Sequence, residues 1–102
     1  MSFLYVIAGP DRSPVKLGFS AQPEKRVRQL QTGSSIVLSL YHIEKVEASR
    51  VKIAEKALHR LLGYKRLSGE WFDMTVEEAI AEVEHIRITE GSEPFRYEVP
   101  KP

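Results

Sequence analysis

The chain has 102 residues with a 42% hydrophobic content, enough for one domain with its own core and too few for two. Its 15 basic and 14 acidic residues leave a formal net charge of +1, so any basic footprint for an anionic partner must be local. Cysteine is absent, which excludes disulfides, zinc–thiolate sites and a cysteine nucleophile.

Met1-Ser2-Phe3-Leu4-Tyr5 lacks the basic start of a secretory leader, and no apolar run approaches the roughly 20 residues that span a bilayer. A cytoplasmic location without membrane association is therefore expected. Residues 3–8 are apolar, β-branched and aromatic, and read as a first strand. Gly9-Pro10-Asp11-Arg12-Ser13-Pro14 is dense in turn formers and predicts a hairpin loop. Residues 15–19 return as a second strand. With the loop centred near Pro10 and Asp11, Tyr5 is expected roughly opposite Lys16, at the cross-strand Cβ spacing of about 5 Å. Gly18 has no Cβ, so backbone or ligand can approach closely there.

Ser20 and Gln22 mark a turn, and Pro23 suits the first position of a helix, where its missing N–H costs nothing. Val27 and Leu30 then share a face while Lys25 and Arg28 stay in water. Fixed positive charge beside an open patch of sheet is a place that can hold a phosphate. Gln31-Thr32-Gly33-Ser34-Ser35 ends the helix. Residues 36–46 put Ile36, Leu38 and Leu40 on one side and Val37, Tyr41 and Ile43 on the other, which predicts a central strand covered by helices.

Residues 48–62 turn helical and end at Gly63, with Val51, Glu55, Leu58 and Leu62 on one face. Residues 64–69 read as a polar basic loop. Glu70-Trp71-Phe72 reads as a compact aromatic plug, an edge strand or a turn packed on the core. Thr75 with Glu78 is a capping-box pattern for the last helix, Asp73 being a rival cap. That helix turns Val76, Ala79, Ile80, Val83 and either Ile86 or Arg87 inward. Glycine and proline return in residues 91–102 and the pattern vanishes. The expected organisation is one domain over residues 1–90 and a tail, mobile or partner-binding, over 91–102.

A carboxylate on an apolar stripe is costly to desolvate, which singles out Glu55. It is a structural carboxylate paired with a nearby arginine or lysine, a solvated residue at the stripe's edge, or a cation ligand. Arg26 is a surface arginine or a phosphate contact. Lys16 is an edge lysine and Tyr5 a strand aromatic filling a core edge, unless their polar tips share a site. His59, one turn after Glu55, can orient that carboxylate or bind phosphate. Lys65-Arg66 is a solvated pair or a contact to a nucleic-acid backbone. His42 and His85 have no partner pattern and read as structural.

Tyr5-Val6 on the first strand, Lys16-Leu17-Gly18 on the second and Glu24-Lys25-Arg26 on the helix resemble the GIY-YIG nuclease superfamily. Glu55-Lys56-Ala57-Leu58-His59 and Gly69-Glu70-Trp71-Phe72 resemble its compact branch, found among phage open reading frames and meiotically up-regulated genes. The resemblance spans roughly residues 3–85. It implies a small α/β (α+β) domain, a three-stranded antiparallel sheet flanked by helices, and divalent-metal phosphodiesterase activity. It implies that Tyr5 stands for the tyrosine of the first motif, Lys16 for the first tyrosine of the second, Gly18 for its glycine, Arg26 for the helix arginine and Glu55 for the metal-binding glutamate. The first motif's leading glycine is Phe3 here, and Leu30 stands where several relatives carry a histidine.

The expected function is a metal-dependent endonuclease cutting DNA, with RNA the alternative substrate. Its catalytic residues would be Tyr5, Lys16, Arg26 and Glu55, the last holding Mg²⁺ or Mn²⁺. Arg26 would pair with the non-bridging phosphate oxygens, and Tyr5, its phenol pKa lowered by the metal and Lys16, would take the water's proton. Gly18, Arg28, His59, Lys65 and Arg66 are the candidate substrate contacts. A nucleic-acid-binding module of the same fold with little or no cleavage is the alternative. A third reading, an interaction domain forming a homodimer or holding a protein partner, would rest on tail residues such as Phe95 and Tyr97. No helix is long and basic enough to read a major groove, so little base readout is expected.

Overall fold

The computed structural model describes residues 2–90. The expected tail, with Phe95 and Tyr97, lies outside the described residues, as do the side chains of Ile86 and Arg87. In chain order the elements are β1 (Ser2–Ala8), β2 (Val15–Ser20), α1 (Pro23–Gln31), β3 (Ser39–Val46), α2 (Val51–Leu62), β4 (Arg66–Ser68), β5 (Trp71–Phe72) and α3 (Val76–Glu90). Among the described residues no helix is long and apolar enough to cross a membrane.

The strands form one antiparallel sheet in the order β3-β1-β2-β5-β4, so the sheet has five strands rather than the expected three. The two additional strands lie in the stretch read as a polar loop and an aromatic plug. Three and two residues are too short to show a period, and all of β4 is exposed. The expected central strand, β3, is an edge strand beside β1. Its apolar residues on both faces have a local cause. The register to β1 slips between Val6, opposite His42, and Ile7, opposite Leu40. That bulge turns Leu40 and Ile43 to the same face although they are three residues apart.

The sheet is apolar on both sides, and alternation along β1 assigns the two layers. Leu4, Val6 and Ala8, with Val15 and Leu17 of β2, join residues of α2 and α3 in the larger core. Tyr5 and Ile7 point the other way, into a smaller cluster with Leu38, Leu40 and Ile43, closed by Val27 and Leu30 of α1 and by Trp71. Pro23 opens α1 as expected, and Ser20 Oγ accepts from the Gln22 N–H at 3.0 Å to shape the turn before it.

Helix α3 begins on the expected capping box. The Glu78 N–H donates to Thr75 Oγ1 and the Thr75 N–H to Glu78 Oε1, each at 3.1 Å, and the Thr75 N–H first, then the Thr75 hydroxyl, hold the Glu78 carboxyl below its usual range. Val76, Ala79 and Val83 are buried beneath it. On α2 the buried face is Ala54, Ala57, Leu58 and Leu62, and Glu55 is exposed. The stripe through Val51, Glu55, Leu58 and Leu62 follows the large apolar residues alone. The small alanines set the true face, because they let the helix approach the sheet.

Candidate active site

Tyr5 lies mid-strand in β1 directly opposite Gly18 of β2. Lys16 pairs with Ile7, so it is the diagonal neighbour of Tyr5 on the same face rather than its direct partner. This corrects the register expected from the loop while keeping both side chains on the α1 side. Arg26 reaches the same place from the first turns of α1. Its Nε donates toward Tyr5 Oη at 3.5 Å.

The carboxylate at this centre is Glu70. Tyr5 Oη donates to Glu70 Oε1 at 2.6 Å, with Lys16 Nζ 3.8 Å and Arg26 Nη2 4.0 Å from the same oxygen. Glu70 is placed by the β4–β5 turn. Gly69 takes a positive φ of 54°, the Leu17 N–H donates to the Glu70 carbonyl at 2.9 Å, and Arg66 Nε donates to the Gly69 carbonyl at 2.7 Å. Gly18 makes the gathering sterically feasible. A Cβ there would strike Tyr5 Oη and lie within 2.7 Å of both Glu70 oxygens.

Glu55 does not join this centre. Ala54, Ala57 and Leu58 fix α2 against the opposite face of the sheet, and both Glu55 and His59 are exposed on that helix. The carboxylate that the structure brings to Tyr5, Lys16 and Arg26 is Glu70 rather than Glu55, and His59 is no neighbour of the cluster. Arg66 braces the turn carrying Glu70, and Lys65 Nζ is 3.7 Å from Glu78 Oε2. Arg28 is exposed on α1 and lines a cleft with Phe3, Gln22 and Lys25. The tetrapeptide containing Glu70 carried the sequence signal that could have found it: a carboxylate flanked by glycine and two aromatics, where a chain turns against a core.

Two cations and one carboxylate give the cluster a local positive excess, and it is open on one side. The Arg26 and Glu70 side chains are 37% and 40% exposed, Lys16 only 12%. Burial first, and then the bond to Glu70, push the Tyr5 phenol up to about 12, against the opposing pull of Arg26. Lys16 is turned to Glu70 and does not offset this rise. Tyr5 is a neutral donor near neutrality. Because its folded pKa exceeds its unfolded value of 10.0, the protonated phenol stabilises the fold below that value, and the contribution is lost as pH climbs toward 12. Ultraviolet titration of tyrosinate should show a late step absent from Tyr5→Phe, and the wild type should lose stability relative to that variant across the same window. Ionisation of all observed tyrosines near pH 10 would contradict the burial and bonding described.

Among the described residues no group of three or more histidine, aspartate or glutamate side chains is arranged to hold a metal. The donor set here still suits magnesium, which keeps most of its waters and needs one or two carboxylates beside a substrate phosphate. Glu70 Oε1 takes the Tyr5 bond, and Oε2 has no hydrogen-bond partner among the described residues. The Glu70 side chain is 40% exposed, which leaves its carboxylate open to solvent on one side.

Residues 2–87 match one protein family, the T5orf172 domain. No curated protein and no solved structure matches the chain.

Proposed function

The chain belongs to the T5orf172 domain family, and from that premise we propose that it is a divalent-metal-dependent endonuclease of the GIY-YIG type, hydrolysing phosphodiester bonds in DNA. The family is compatible with a nuclease-like or DNA-binding module. The observation that carries the finer reading is the convergence of Tyr5, Lys16, Arg26 and Glu70 over the bare Cα of Gly18.

In this reading Arg26 seats the scissile phosphate through its planar fork, and Lys16 adds a second, less solvated positive charge beside it. Glu70 would hold Mg²⁺ or Mn²⁺ through Oε2, and when bound the ion supplies charge that offsets the phosphoryl oxygens and the developing leaving oxygen. Tyr5 Oη orients the attacking water. Its raised pKa makes it a relay rather than a free base: the water's proton passes to Oη as the phenol's own proton moves across the 2.6 Å bond to Glu70 Oε1. The water oxygen bonds to phosphorus as the phosphorus–oxygen bond to the leaving group breaks; the leaving oxygen takes a proton from solvent, and Glu70 gives its proton up to solvent.

Two facts support a second reading, a binding module with little cleavage. The phenol starts neutral, and Leu30 stands where relatives carry a histidine that could share the proton. Purified protein should nick supercoiled plasmid in Mg²⁺ or Mn²⁺, and chelation by EDTA should stop it. Retardation of the same DNA in a gel without nicking would replace the nuclease reading with the binding module.

A further inference from the structure

Beside the cluster lies a cleft of about 560 Å³, lined among others by Lys16, Gln29, Leu30, Ser34, Ile36 and Trp71. Lys16 therefore belongs both to the reaction centre and to this cleft. The far wall is built rather than loose. The Gln31 side chain donates to the Ile36 carbonyl at 2.8 Å and accepts from the Leu38 N–H at 2.7 Å, and Ser34 Oγ bonds both the N–H and the carbonyl of Ile36. These bonds hold Ile36 51% exposed at the mouth, facing the half-buried Trp71. Lys16 Nζ is 5.3 Å from the centroid of the Trp71 ring. One lysine thus stands between a place for a phosphate and a flat aromatic wall.

We propose that this cleft takes an unpaired nucleobase, that of the nucleotide whose phosphate lies on Lys16 and Arg26. The inference rests on the nuclease reading of the cluster and adds the substrate class: single-stranded or locally unpaired DNA rather than intact duplex. A phosphate and its own base are separated by one sugar, which matches a site where one residue borders both compartments. A base held in a duplex stack, covered on both faces by its neighbours, cannot stack on Trp71. An extruded or unpaired base can, and stacking on an aromatic ring is indifferent to base identity. The apolar walls supplied by Leu30 and Ile36 suit the base, and the cation at the rim suits its phosphate.

Trp71 is the only tryptophan in the chain, so tryptophan emission, excited selectively over the four tyrosines, reports on this wall alone. The probe is a single-stranded oligonucleotide added to the non-cleaving Glu70→Gln protein, beside a blunt duplex of the same sequence. Saturable quenching by the single strand, with little change from duplex at equal occupancy in a gel, is the expected result. Trp71→Leu should lower single-strand affinity about 10-fold, within the range for loss of one base–aromatic stack, and leave duplex affinity nearly unchanged. Equal quenching by duplex, single-strand binding without quenching, or no binding of either would overturn the proposal. Quenching of Glu70→Gln by the single strand, with a wild type that fails to nick plasmid, would refute hydrolysis alone. Nicking by a protein that shows no quenching would refute the base cleft alone.

Discussion

Glu70→Gln is expected to reduce metal-dependent nicking by roughly 10²–10³-fold or more, the range seen when one preorganised charge-stabilising group is removed, while Glu55→Gln cleaves at nearly the wild-type rate. The two carboxylates differ in surroundings rather than chemistry. Glu70 Oε1 lies within 4.0 Å of Tyr5, Lys16 and Arg26 at once, whereas Glu55 stands exposed on a helix packed against the other side of the sheet. The amide preserves size and can still accept from Tyr5 Oη, so the local hydrogen bond survives. The ion pairs it loses are long and partly exposed, and such pairs contribute about 0–1 kcal/mol. Thermal melts should therefore show both variants folded. Plasmid assays of the two proteins at equal concentration decide the matter. Full activity in Glu70→Gln, or its loss only in Glu55→Gln, would remove Glu70 from the reaction.

Gly18→Ala should impair cleavage by about 100-fold or more, comparable to the cost of an ångström-scale misplacement of reacting groups. The methyl would arrive against Tyr5 Oη and within 2.7 Å of both carboxylate oxygens. Glu70 can swing away, being 40% exposed, but the Tyr5 ring is fully buried beneath α1 and has little freedom. Relief therefore comes at the expense of the Tyr5–Glu70 bond. Crowding of this kind costs about 1–3 kcal/mol in stability, small enough for the variant to be purified folded. Gly63→Ala is the control. A Cβ there meets nothing within 4 Å and its φ of −57° is open to any residue, so stability and nicking should hold or improve slightly. Initial rates and melting curves on the three proteins separate a blocked site from general destabilisation.

Much of this centre was legible in the sequence. The turn-forming loop after the first strand marked the hairpin that carries Tyr5, Lys16 and Gly18, Pro23 marked the start of the helix that carries Arg26, and the family resemblance, not periodicity, grouped the four. The capping box at Thr75 and Glu78 was legible because it is a local pair of bonds. What failed was non-local or too short to be periodic. Glu70 is 65 residues from Tyr5 and enters the site from the turn before a two-residue strand, so no repeat could place it. Glu55 misled because helical spacing weights leucine and valine, while the contact surface of α2 is set by alanines that make little mark in such a pattern. The hairpin register depended on how a six-residue loop closes, which its composition left open. The bulge in β3 likewise imitated a two-sided central strand.

The unequal apolar layers described above bear on how the molecule can change. Helices α2 and α3 hold one side of the sheet with most of the core, and the Tyr5–Glu70 cluster lies on the other. A library randomised in the 32–37 loop and along the exposed face of α1 would alter substrate choice while leaving the packing of the far layer as it is. The fold thereby separates heritable solidity from adjustable specificity, and selection can revise the second without rebuilding the first.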